Sequence, residues 1–173
     1  MCKLASFWHN PNTGDIAVSV LDQHDATAKA LKLNEKIWRE GHYLPNGEIE
    51  CRVAPEDHAT QDECNARLKA RFPTFIEFFN WALGEVCKDG VFSGALYLNS
   101  LTSAAGLKLP TEISGSLDLS SLTSAAGLKL PTEISGYLYL NSLTSAAGLK
   151  LPTKCGALHL NSLTSAACTS ARK

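Results

Sequence analysis

A chain of 173 residues, 45% hydrophobic and 19% charged, has the length for one domain or two small ones and a globular rather than a disordered composition. Its net charge of −1 hides an asymmetry: residues 1–92 carry ten basic and fourteen acidic side chains, a balance of −4, and residues 93–173 carry six and three, a balance of +3. Neither part has the basic excess that a phosphate backbone demands, so composition gives nucleic acid no support as a direct ligand. No stretch approaches the roughly 18 apolar residues of a membrane span, and MCKLASFWHN lacks a signal peptide's apolar core. No membrane partner, a cytoplasmic location and six reduced cysteines are therefore expected.

In chain order, Leu4–His9 and Asp15–Leu21 read as strands joined by the turn-forming Asn-Pro-Asn-Thr-Gly. A short helix over Asp25–Leu33 comes next, then a second hairpin from Ile37 to Val53 around Leu44-Pro-Asn-Gly47. At an offset of 33, six of 19 positions match from His9/His42 to Thr27/Thr60, including Gly14/Gly47 and Ile16/Ile49, as a duplicated unit would. Thr60 with Glu63, and Thr74 with Glu77, have the spacing of capping boxes, each opening a helix. In the second helix Phe75, Phe78, Phe79, Ala82, Leu83 and Val86 share one face, which reads as core. The expectation for residues 1–92 is an α+β domain, ββα–ββα plus the Phe-rich helix, that caps residues 93–173. A first rung without a cap exposes its apolar end and strand edge.

Cys51, His58 and Cys64 are the candidates for chemistry in this part, with His42 near them. Two cysteines and a histidine are zinc-ligand types, but their spacing fits no familiar zinc pattern. Cys51 also takes the place of Val18 in the hairpin alignment, the place of a buried apolar residue. Phosphate-binding loops, nucleophile elbows and metal-binding helix motifs are absent from the sequence. The expectation is a chain with no catalytic residues, no metal and no cofactor. The competing readings are a Cys/His or zinc enzyme in residues 1–92 and a self-associating structural protein.

Residues 93–173 copy themselves. Gly94–Ser114 and Gly115–Ser135 are identical at 18 of 21 positions, Gly136–Cys155 is a 20-residue version, and a truncated fourth unit starts at Gly156. A period of this length marks a solenoid, whose units bury their apolar faces only by stacking. Alternation puts Leu96 and Leu98 inward and Ala95, Tyr97 and Asn99 outward. Leu101, Leu107, Leu109 and Ile113 are expected to form inward ladders, with Gly106 and Gly115 at corners and no ladder amide at Pro110. The first two units differ only at Ala95/Ser116, Tyr97/Asp118 and Asn99/Ser120. The third unit changes the same row to Tyr137, Tyr139 and Asn141, and the fourth puts His159 in the place of Tyr97. One exposed row varies while Thr102 and Lys108, also expected to be exposed, do not.

The pattern LxLxxLTS with GLKLP after it, over residues 94 to about 167, resembles bacterial leucine-rich repeats, and more closely the degenerate leucine-rich-like repeats of phage and prophage proteins. Two residues rather than the family's four separate the second strand leucine from the next, which leaves a horseshoe and a compact parallel β-solenoid both open. The comparison between units puts the partner-binding row at Tyr97, Asn99, Asp118, Tyr137, Tyr139, Asn141 and His159, and the resemblance implies protein recognition through the strand face. It also implies a mobile-element origin, one version of which is an anti-CRISPR-like inhibitor of a host defence complex. A homodimer through the C-terminal solenoid edge, screened only by the tail Thr169–Lys173, is the alternative partner.

Overall fold

The computed structural model describes residues 6–18 and 28–164 of a mixed α/β chain that divides into two compact units, Met1–Val86 and Cys87–Lys173. In the first unit β1 (Ser6–His9), β2 (Ile16–Ala17), β3 (Arg39–Tyr43) and β4 (Ile49–Cys51) form an antiparallel sheet in the order β2-β1-β3-β4. Both turns are set by asparagine. Asn10 Oδ1 accepts from the amides of Asn12 (3.0 Å) and Thr13 (3.3 Å), and Asn46 Oδ1 accepts from that of Glu48 (3.0 Å). The two hairpins are not superimposable copies: His9 pairs with Ile16, but its counterpart His42 pairs with Glu50 rather than Ile49. The second hairpin is one residue out of step. Of the helix expected over Asp25–Leu33, residues 25–27 lie outside the described residues and only 28–30 are helical among the rest, so the ββα–ββα order is not established.

Helix α1 (Gln61–Arg71) opens on the Thr60–Glu63 capping box: the Thr60 side chain accepts from the Glu63 amide (3.2 Å), and Glu63 Oε2 accepts from the Thr60 amide (2.7 Å). Helix α2 (Phe75–Val86) repeats the device with Thr74 and Glu77. Its apolar stripe buries Phe75, Phe78, Phe79, Ala82 and Leu83, while Val86 is half-buried. The ring of Phe78 lies 5.3 Å from that of Phe7 and 5.4 Å from that of Tyr43. Tyr43 is completely buried and satisfies its hydroxyl by donating to the Phe72 carbonyl at 2.9 Å. Gly41 makes room for this core, since a Cβ there would stand 2.4 Å from Phe7 Cζ.

The second unit is a parallel β-solenoid of about three turns. Two ladders run through it side by side. One joins β5 (Val91–Phe92), β7 (Glu112–Ile113) and the first residues of β9 (Glu133–Tyr139) and β10 (Lys154–His159); the other joins β6 (Leu96–Tyr97), β8 (Leu117–Asp118) and the ends of β9 and β10. Val91-Phe92 is therefore a rung of this unit, stacked on Glu112-Ile113. Inside, Leu96, Leu98, Leu101 and Leu107 and their counterparts in the next two coils are buried, as are Ile113 and Ile134, while Cys155, which follows them in the ladder, is half-buried.

Leu109 is a correction. It and Leu130 are only half-buried and Leu151 is exposed, while Pro110 and Pro131 take the interior place with Ala104, Ala125 and Ala146. Proline has no amide to leave unpaired, which suits it to a buried bend. The corners at Gly106 and Gly115 have different causes. Leu107 N donates to Ala104 O (3.0 Å) across a turn whose third residue, Gly106, has φ +78°, as a type II turn requires. Gly115 is needed for close approach: a Cβ there would lie 2.5 Å from the Gly94 carbonyl.

Threonine clips the coils together. The amide and the hydroxyl of Thr132 both donate to Thr111 O (2.8 and 2.9 Å), and Thr153 does the same to Thr132 O (2.8 and 2.9 Å). The missing residue of the third unit appears as a register shift between Cys155 and Ala157. In the fourth rung Leu158 is 37% exposed, whereas Leu138 beneath it is fully buried. The tail Thr169–Lys173, expected to screen this edge, lies outside the described residues.

Candidate functional site

The varied row of the repeats is gathered by strand register into one patch. Tyr97 lies beside Asp118, Asp118 beside Tyr139 and Tyr139 beside His159 on successive strands, with Tyr137 beside Ala157 in the neighbouring row. Because each strand buries its leucines, the intervening side chains have to face outward. Tyr97 is 55% and Tyr137 50% exposed, and Asp118, Tyr139 and His159 are partly exposed. The rings pack on one another. Tyr139 and His159 stack with centroids 4.7 Å apart and planes 18° apart, and Tyr137 stands 6.0 Å from each.

Asn99 and Asn141 do not belong to the strand face. They occupy the turn just after it, closed by Leu101 N donating to Leu98 O (3.0 Å) and Leu143 N to Leu140 O (3.2 Å). Asn99 is exposed, but Asn141 turns partly inward: its Nδ2 reaches Ser120 Oγ at 3.5 Å and its buried Oδ1 has no partner among the described residues. The alternation that serves Tyr97 ends at Leu98, and extending it one residue further overruns the strand.

Ser120 is the site residue that sequence reasoning missed. Its amide (2.9 Å) and its hydroxyl both donate to Asp118 Oδ1, fixing the carboxylate against the turn. A signal for this was present: the unit that replaces tyrosine by Asp118 is the one that replaces asparagine by Ser120. No lysine or arginine pairs with Asp118 among the described residues. The threonines explain part of the contrast between varied and fixed positions. Thr144 and Thr164, counterparts of Thr102, donate their hydroxyls to the threonine carbonyl one coil below (3.3 and 3.1 Å), so that row is held by structure. Lys154 likewise gains a partner, Glu133 Oε2 at 3.4 Å on the adjacent strand.

The cysteine–histidine candidates of the first unit have a different environment. Cys51 and Cys64 are buried free thiols; burial, then the neighbouring Cys64, pushes the Cys51 thiol up to about 12, and burial raises Cys64 as well. His58 is exposed on the loop before α1, its amide donating to Asn12 Oδ1 at 2.9 Å. Among the described residues no group of three or more His, Cys, Asp or Glu side chains is placed to hold a metal ion. His9, which is buried, has Nε2 3.0 Å from the Arg52 carbonyl, beside the Arg39–Asp57 ion pair (3.0 Å), and burial lowers its pKa. Asp57 Oδ2 also accepts from the Ala54 amide (2.8 Å), so this network pins the 52–57 loop. Among the described residues no helix is long and apolar enough to cross a membrane. No family model, curated protein or solved structure matches the chain.

Proposed function

We propose that this chain is a non-enzymatic protein-binding module whose solenoid strand face carries the recognition row. The observation that supports this reading is the coincidence of two patterns. Units otherwise nearly identical differ mainly along one outward row, and that row forms a continuous patch, exposed at Tyr97 and Tyr137 and partly exposed at Asp118, Tyr139 and His159. Rigid aromatic side chains give much contact area at small entropic cost, which is why they dominate protein interfaces.

The patch has a size limit. Four rungs of short strand offer roughly 300 Å², against about 800 Å² per partner in a stable interface. The strand face alone therefore supports only a weak contact. A phage or mobile-element origin, with a host defence complex as the target in the manner of an anti-CRISPR protein, is the version that the resemblance of the repeats favours. Capture of partners from host lysate, with mass spectrometry of the captured material, tests the assignment. The variant with Tyr97, Tyr137 and Tyr139 all changed to alanine is expected to lose the captured protein, and undiminished capture would remove the row from the interface.

A further inference from the structure

The chemistry of the patch narrows the partner. Twelve outward and turn positions, 95, 97 and 99 with their counterparts in the next three coils, contain a single carboxylate, Asp118, and neither lysine nor arginine. That carboxylate sits between Tyr97 and Tyr139 on the adjoining strands, about 4.8 Å to either side at ordinary strand spacing. Ser120 fixes it in place, and it has no cationic partner within the chain among the described residues. The row is therefore aromatic with one carboxylate and neither lysine nor arginine, although the unit as a whole has a positive balance.

A carboxylate flanked by tyrosine rings is complementary to a cation, which gains from the ring faces and from the charge together. Among cations a guanidinium fits best, because it is planar, stacks on aromatic rings and presents paired donors to a carboxylate. We propose that this face binds an arginine side chain of its protein partner, with Asp118 as the anchor and Tyr97 and Tyr139 as the walls. This inference rests on the reading of the row as a recognition surface.

The test uses the whole chain, isotope-labelled, and two acetylated pentapeptides: Gly-Ser-Arg-Ser-Gly and the same peptide with neutral citrulline in place of arginine. The arginine peptide is expected to give saturable NMR shifts centred on Tyr97, Asp118 and Tyr139. Citrulline, or the Asp118→Asn variant, should weaken that binding by about tenfold, the scale of one charge-assisted contact. Asp118→Asn keeps an Oδ1 acceptor for Ser120, so a fold change is not the expected cause, and an unaltered spectrum elsewhere verifies this. Equal binding of the two peptides, shifts located elsewhere, tighter binding of a neutral oligosaccharide, or no binding would each overturn the inference. If the alanine variant still loses the captured partner while the arginine peptide fails, the recognition row survives and only its specificity for arginine falls.

Discussion

At the scale of single residues, the first unit shows how burial decides what a reactive side chain does. A cysteine nucleophile needs its thiolate, and Cys51 has the opposite environment: buried, beside a second buried thiol, and pushed up to about 12. This fixes the sign of its effect on stability. The unfolded chain releases this proton near 9.0 and the fold retains it to about 12, so the stability tied to the protonated thiol is whole below 9.0 and declines between those values. The decline approaches about 1.4 kcal/mol per pH unit for this group. Cys51→Val, the residue found at the matching Val18, removes the group while keeping an apolar side chain. Denaturant unfolding at pH 8 and pH 10 is expected to show a smaller loss for the variant than for the parent. Equal losses would mean that Cys51 ionises as freely in the fold as out of it.

At the scale of elements, glycine separates two kinds of position that look alike in a sequence. Gly84 lies exposed within α2 and a Cβ there meets nothing within 4 Å, so Gly84→Ala is expected to stabilise by about 0.5–1 kcal/mol through helix propensity. Gly115 touches the backbone of the coil below, and Gly115→Ala requires the rungs to part, at a cost of about 1–3 kcal/mol or more. Thermal unfolding of both variants reads the two signs, and a neutral Gly115→Ala would mean that the coils stack less closely. The same distinction explains what the sequence disclosed. Capping boxes, the Phe-rich stripe and the leucine ladders were legible because each is a local rule with a fixed period. Leu109 was misread because one turn between coils changes which side faces in, and alternation does not register a bend. Asn99 was misread for a related reason, the strand ending one residue earlier than its pattern. The partners of Asp118 and Lys154 lie in tertiary register, which becomes visible only when the coils are stacked.

For the molecule as a whole, the repeats make a prediction that an ordinary globular domain cannot. The first coils hydrogen-bond to one another through equivalent atoms 21 residues apart, as in Thr132 on Thr111 and Thr153 on Thr132. Removing Gly115–Ser135 therefore joins Ser114 directly to Gly136, and every ladder can close again one rung shorter. Solenoid stability is close to a sum over coils and the interfaces between them. The shortened chain is expected to stay folded, with a lower denaturant midpoint and a smaller m-value, since less surface is exposed on unfolding. Removing residues 115–132 instead puts the coils out of phase by three positions and should abolish cooperative unfolding of the solenoid. The in-phase deletion also separates fold from recognition. It removes Asp118 and brings Tyr97 directly beside Tyr139, so the shortened solenoid should fold yet fail to distinguish arginine from citrulline. A shortened chain that folds and still prefers arginine would place the anchor elsewhere than Asp118.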